Sequence, residues 1–303
     1  MSTGMNQPAM NVDRGNKQVR SQQKSNSSSI RCGCGCLPVI LAAVVFGLLT
    51  ALYFFSPGRT NILLLGIDKT PTGSDAGRSD TNILTTIIPS QPYIGMLSIP
   101  RDLWVEIPGI GQNRINTAHF FAEAAVPGSG PKAALQAVKD NFGIDVGYYF
   151  RVKFNGFEDV IDAMGGVDLV LAEPTAGYPA GTHHLNGNKA LAFARNRTGT
   201  DDFFRMAQGQ LVIKSVFSQL LSPLKWFRLP AVLVAAARSI DTNVPVWLWP
   251  RLGFTLLRVG PSRIDSRSIS REMVTPTITN QGADVLLPNW ERINPVLLEM
   301  FGQ

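Results

Sequence analysis

Residues 61–102 constrain this chain more than any other stretch, because three continuous apolar runs are punctuated there by charged residues. The segment reads NILLLGIDKTPTGSDAGRSDTNILTTIIPSQPYIGMLSIPRD. Runs 62–67, 83–88 and 94–99 have strand length and are bounded by Gly, Pro, Ser or Asp, so they predict buried strands. Asp68, Arg78, Asp80, Arg101 and Asp102 then fall at the loop ends of strands, where binding groups are commonly displayed. Carboxylates beside arginines suit a divalent cation held together with a phosphate group, since hard cations take oxygen ligands and guanidinium forks take phosphate oxygens.

Helical and strand patterns alternate downstream. Residues 132–141 carry Ala134, Leu135 and Val138 at helical spacing, between Pro131 and Gly143. Residues 148–154 alternate as a strand, Asn155 is expected to cap a helix through Met164, and Gly165-Gly166 ends it before a strand at 167–171, which together read as a β-α-β unit. Asn186-Gly187 reads as a turn before a short helix, followed by an amphipathic helix at 211–221 and an apolar one at 230–240. The expected fold is α/β, a mixed central sheet covered by helices on both faces in an α-β-α sandwich, preceded by one transmembrane helix. WLWPRLGFTLL at 247–257 is apolar on more than one face and too short to span a bilayer. It is expected to be core rather than a lipid-tunnel wall or a surface resting on a membrane.

Residues 37–55 contain no charge, and nineteen residues at about 1.5 Å each reach roughly 28 Å, close to a bilayer core. The run exceeds a usual signal-peptide core and no A-x-A pattern follows it, which favours an uncleaved anchor. Arg14, Lys17, Arg20, Lys24 and Arg31 precede it against Asp13 alone, so much of the net charge of +6 sits in this tail. That asymmetry predicts a cytoplasmic tail at 1–36, a span at 37–55 and an extracytoplasmic domain at 56–303 in a single-pass membrane protein. The tail is rich in Ser, Asn and Gln and is expected to be disordered, with lipid headgroups rather than nucleic acid as its neighbours. Cys32, Cys34 and Cys36 stand before the span, in spacing unlike a zinc site, and no cysteine follows, so the domain must fold without disulfides. Juxtamembrane acylation and inert thiols both remain open for them.

A second charged cluster lies in ALAFARNRTGTDDFFRMAQGQ, where Arg195, Arg197, Asp201, Asp202, Arg205, Gln208 and Gln210 follow closely on one another. Taken in order, NILLLGID, GRSDT, SIPRD, RIN, YFRVKFNGFEDVIDAMGGVDLVL, LNGNKALAFARNR and DDFFR resemble the LytR-CpsA-Psr family of membrane-anchored cell-wall glycopolymer ligases, over residues 61–210. The resemblance implies an Mg²⁺-dependent phosphotransferase, with Mn²⁺ as an alternative metal, that moves a glycopolymer from a polyprenyl diphosphate carrier to peptidoglycan. It implies Asp68 and Asp80 as metal ligands, and Arg78, Arg101, Arg195, Arg197, Arg205 and Gln210 as diphosphate-binding residues. Asp80 and Arg101 are the expected catalytic pair, and Asp80 or Asp202 the expected acceptor of the hydroxyl proton. Gln208 departs from a position where many relatives are basic and is left out of the site. Arg114 and Asn116 are candidates whose competing role is to brace a loop. His119, His183 and His184 sit in contexts suggesting core or surface placement, and no Ser-His-Asp or Cys-His arrangement is supported. A diphosphatase acting on the same lipid, or a non-catalytic membrane-anchored envelope regulator, are the alternative functions.

Overall fold

The computed structural model describes residues 36–68, 76–196 and 202–302. Most of the tail, with Cys32 and Cys34, therefore lies outside the described residues, as does Arg197. The chain divides into two compact units, Met1–Gly47 and Leu48–Gln303. Helix α1 (Cys36–Phe55) runs across that division, and its segment Pro38–Phe55, with mean hydropathy 2.3, is long and apolar enough to cross a membrane.

The second unit holds β1 (Thr60–Ile67), β2 (Ser79–Ile88), β3 (Tyr93–Ile99), β4 (Trp104–Ile107), β5 (Gly111–Arg114), α2 (Thr117–Ala125), α3 (Gly130–Phe142), β6 (Tyr148–Lys153) and α4 (Phe154–Met164). There follow β7 (Val167–Leu171), β8 (Gly181–Leu185), α5 (Gly187–Ala194), α6 (Asp202–Leu220), α7 (Leu229–Ser239), β9 (Ile240–Thr242), α8 (Trp249–Val259), β10 (Asp265–Ser268), β11 (Val274–Ile278), β12 (Asp284–Pro288) and α9 (Trp290–Phe301). The six-stranded sheet has the order β10-β3-β2-β1-β6-β9, with β1/β6 and β3/β10 parallel and the other neighbours antiparallel.

The three apolar runs are the middle of this sheet, and their alternate residues serve opposite layers. Leu63, Leu65, Leu84, Leu97 and Ile99 face α3 and α9 through Ala134, Val138, Ile293 and Leu297. Ile62, Ile83, Ile94 and Met96 face α6 and α8 through Ile213, Phe217, Leu252 and Leu256. Burial on both faces explains why the runs are continuous rather than alternating. Each buried Leu or Ile contributes about 1.5–3 kcal/mol.

Four details depart from the sequence expectations. The β-α-β unit does not form in the central sheet: among the described residues β7 pairs with β8 alone, in a separate hairpin. Its strictly alternating burial explains this, since a strand with one apolar face covers a helix layer and cannot sit inside a doubly covered sheet. Asn155 lies in the first turn of α4, whose N-cap is Lys153, while Gly165 does end that helix at φ 81°. Strand β2 begins at Ser79, four residues before the run expected at 83–88, so Asp80 lies within the end of the strand rather than ahead of it. The core expectation for 247–257 holds for one face only: Leu252, Thr255 and Leu256 pack inward, whereas Trp247, Trp249 and Leu257 are exposed.

One buried ion network joins the layers. Glu123, with a side chain only 2% exposed, accepts hydrogen bonds from the amides of Gly128 and Gly130 and pairs with Arg151 at 3.1 Å; Arg151 also holds Asp241 at 2.7 Å. Burial alone raises the Glu123 pKa, but the two amides and Arg151 outweigh it and hold the carboxyl below its ordinary value. A depressed folded-state pKa adds stability that is present above the ordinary glutamate value and lost as pH falls through the folded one. Glu123→Gln is therefore expected to lose about 3 kcal/mol at pH 7, because Arg151 loses one of its two carboxylates and one of the two amides faces a donor in place of an acceptor. Urea unfolding should show the gap to wild type narrowing below about pH 4. A gap that persists unchanged in acid would remove the ionic explanation.

Candidate active site

The charged residues of the two sequence clusters converge at the carboxyl ends of β1 and β3. The key distortion is in β2. Gly66 pairs with Thr81 and Ile67 with Ser79, so Asp80 is an extra residue with no partner across the ladder. Such a bulge turns a side chain out of the regular pleat, a device common beside active sites. The main chain of Arg78 accepts from the amides of both Asp68 and Asp80, at 3.3 and 3.1 Å, and so ties the two acidic positions together. Gly77 is required here because a Cβ on it would stand 2.6 Å from the Asp68 carbonyl oxygen.

Arg101 is the hub. Its Nε lies 2.9 Å from Asp202 and 3.3 Å from Asp102, and its Nη1 lies 3.3 Å from Asp80. Burial by itself lowers the pKa of this guanidinium, but Asp202, Asp80 and Asp102 together outweigh it and raise the value. The same crowding acts on Asp102, whose carboxyl is pushed above its ordinary value by burial, and by Asp202 beside it, in spite of Arg101 and Arg114. Asp202 also binds Arg205 at 3.1 Å. On the other side, Arg195 ends α5, reaches Asp68 at 3.1 Å and stacks with its Cζ 4.5 Å from the centre of the Phe154 ring. A planar guanidinium does both at once, and an ammonium does not.

These residues stand at a cavity of about 760 Å³ whose lining includes Asp80, Arg195 and Arg205. Its walls are otherwise mostly apolar, running over Phe150, Phe154 and Phe157 to Val212, Val216 and Phe217. An apolar cavity of this size with a few charged groups at one place is the usual form of a small-molecule site.

Several sequence-predicted residues take other places. Gln210 is buried and is not part of the cavity lining; its amide nitrogen donates to Ser98 Oγ at 2.8 Å and to the Arg267 carbonyl at 2.6 Å, which pins α6 to β3 and β10. In this position it acts as a strut of the sheet. Arg78 is exposed, with its Cζ 5.9 Å from the Phe120 ring centre, and does not line the cavity. Arg114 braces a loop, contacting Asp102 at 3.4 Å and donating to the Asp284 carbonyl. His119 is fully buried and donates from Nδ1 to the Gly77 carbonyl at 2.9 Å, supporting the segment that carries Arg78. The sequence reading missed the aromatic wall of the cavity. In sequence the wall residues carry no signal beyond ordinary core periodicity.

Asp68 and Asp80 suit Mg²⁺ in one mode of binding. Among the described residues no group of three or more His, Cys, Asp or Glu side chains could hold a metal ion. The donor set therefore fits an ion that shares one or two carboxylates with phosphate oxygens and water, not an all-protein cage.

A mixed sheet covered on both faces, with an apolar cavity fringed by arginine and aspartate, defines the α/β class of this protein. The chain belongs to the LytR_cpsA_psr family, whose model matches residues 15–300. It is 40% identical over 190 residues to the polyisoprenyl-teichoic acid–peptidoglycan teichoic acid transferase TagU of Oceanobacillus iheyensis, covering 61% of this chain and 58% of that relative. A Bacillus cereus transferase of the same name is 33% identical over 191 residues, with coverages of 61% and 60%. The matched part is thus about three fifths of the length of each relative. The crystal structure of B. subtilis TagV superposes with a TM-score of 0.66 at 25% identity, covering 82% of this chain and 98% of that one. The structure of TagT bound to LIIa-WTA has a TM-score of 0.61 at 23% identity, with coverages of 81% and 91%, and shares the fold.

Proposed function

We propose that this protein is a membrane-anchored phosphotransferase that moves a glycopolymer from a polyprenyl diphosphate to a hydroxyl of peptidoglycan. The observation that carries this reading is the joining of an apolar cavity of about 760 Å³ to the Asp80, Arg195 and Arg205 mouth. A prenyl chain gains about 0.8 kcal/mol for each buried CH₂, while arginines match the anionic head. Relatives named as teichoic acid transferases support the same substrate class.

Arg195 and Arg205 bind the diphosphate, and Arg101, kept in register by Asp102 and Asp202, faces the phosphorus distal to the lipid. The acceptor hydroxyl attacks that phosphorus, a new P–O bond forms, and the bond to the bridging oxygen breaks so that polyprenyl phosphate leaves. Asp80 takes the hydroxyl proton, while Asp202 is already engaged by the guanidiniums of Arg101 and Arg205. Asp68 and Asp80 would hold Mg²⁺, which supplies charge stabilisation on the phosphate oxygens. The basic tail before the span orients the domain to the outside of the membrane.

The test is to incubate full-length protein with a polyprenyl-diphosphate-linked glycan, Mg²⁺ and peptidoglycan. The expected products are glycan bound to peptidoglycan by a phosphodiester and free polyprenyl phosphate. Release of glycan phosphate with no peptidoglycan adduct would replace transfer by hydrolysis.

A further inference from the structure

We infer that the end of the domain opposite the charged site is a bilayer-docking surface, formed by the 3₁₀ segment Pro223–Arg228 with the start of α7 and by residues 246–249. This rests on the reading of α1 as a membrane anchor and goes beyond it, because it seats part of the folded domain itself in the leaflet.

The position of both segments follows from strand direction. Strands β1 and β6 are parallel, and β9 runs antiparallel to β6 with Ile240 opposite Val152 and Thr242 opposite Phe150. The chain leaving β9 therefore heads to the end where β1 begins, just after Phe55. There Tyr53 donates to the Trp247 carbonyl, and Arg251 donates to the carbonyls of Ser56 and Gly58 at 3.0 and 2.8 Å. Phe54 and Phe55 meet Phe254 edge-on. Helix α6 starts at the charged site through Asp202, and its later residues Ile213 and Phe217 pack in the same cluster as Leu248 and Leu252. Leu224, Trp226 and Phe227 follow its last turn, where the Trp226 indole donates to the Leu220 carbonyl at 3.3 Å.

The chemistry of this end is that of a membrane interface. Leu224 is 84% exposed, Phe227 75%, Val246 79% and Trp247 66%, a concentration of bare apolar side chains that a water-facing surface seldom carries. Aromatic and aliphatic residues alternate there with Lys225, Arg228, Arg251 and Arg258. Between Leu221 and Ile264 the chain has six basic residues and a single acid, Asp241, which Arg151 holds. Basic side chains beside apolar ones fit anionic headgroups above acyl chains. The apolar wall of the cavity also reaches Val216 and Phe217 near the end of α6, so docking would bring the apolar end of the cavity to the leaflet that holds prenyl lipids.

The experiment uses the full chain with Cys32, Cys34 and Cys36 replaced by Ser, reconstituted in phosphatidylcholine–phosphatidylglycerol vesicles. Single cysteines at Leu224, Phe227 and Val246 carry an environment-sensitive dye. Controls are a label at Ile278, 68% exposed on the hairpin tied to the charged end through Asp102, and one at Leu49 in α1. Labels at 224, 227 and 246 are expected to emit at shorter wavelength and to be quenched by lipid brominated in its acyl chains, as at 49, while 278 stays water-like. Quenching at 49 with water-like emission at 224, 227 and 246 overturns docking and leaves the anchor standing. No quenching at 49 overturns the anchor and docking with it. Labels shielded but unquenched, with shielding lost on diluting protein in lipid, would mean that a second copy covers this face instead. Vesicles of phosphatidylcholine alone should weaken quenching at 224 and 227 about threefold or more; equal quenching overturns the part assigned to the basic residues.

Discussion

Asp80→Asn is expected to lower glycan transfer about 10²–10³-fold, the range found when one group that stabilises transition-state charge is removed. The fold should survive, because Asp80 is the unopposed residue of a bulge and its ion pair is with Arg101 at 3.3 Å. Arg101→Lys should lose activity on a similar scale, and here some stability should go as well. An ammonium is a point charge that cannot serve Asp80, Asp102 and Asp202 together, so at least one half-buried carboxylate is left facing another. Ordinary surface ion pairs would contribute about 0–1 kcal/mol to stability and nothing to chemistry. Transfer assays beside thermal melts separate the two accounts. Near-wild-type transfer by both variants would remove these residues from the reaction.

Gly209 provides an equally large effect through volume alone. It lines the cavity in the middle of α6, and a Cβ built on it meets nothing within 4 Å. An interior helical glycine costs about 1 kcal/mol relative to alanine, so Gly209→Ala should raise the melting temperature. Gly209→Phe keeps the helix but fills the space meant for the lipid. Excluding even four CH₂ groups costs about 3 kcal/mol, or roughly 10²-fold in affinity. Mass spectrometry of the purified proteins should find prenyl lipid on wild type and none on Gly209→Phe, with melts that show both folded. Normal lipid loading of the phenylalanine variant would mean that the cavity is not where the chain lies.

Both predictions depend on features that differ in how they can be read. The three central strands were legible because residues buried on both faces must be apolar throughout, whatever their partners. Helix α4 and its glycine stop were legible for the same local reason, since helical spacing and a left-handed C-cap are written within a dozen residues. The family was legible from ordered motifs, and it pointed to Asp68, Asp80, Arg101, Arg195 and Arg205, which the fold does bring together.

Other features depended on pairings between distant segments. Whether β7 joins the sheet is decided by which partner has a free edge, and its alternating burial matches β8. Asp80 leaves the pleat because of a register shift against β1, a property of two strands and not of either. Arg101 and Asp202 are 101 residues apart in sequence, so their contact is created only by packing α6 across β3. Gln210, polar and within a motif, carries no sign in sequence that the same packing sets its amide against Ser98 and Arg267. Apolar spacing alone also does not distinguish a residue that fills the core from one that lines an empty cavity, because burial from water requires the same side chains in both. The sequence thus determined which residues avoid water and which carry charge, while tertiary packing decided which of those surfaces meet and where space is left between them.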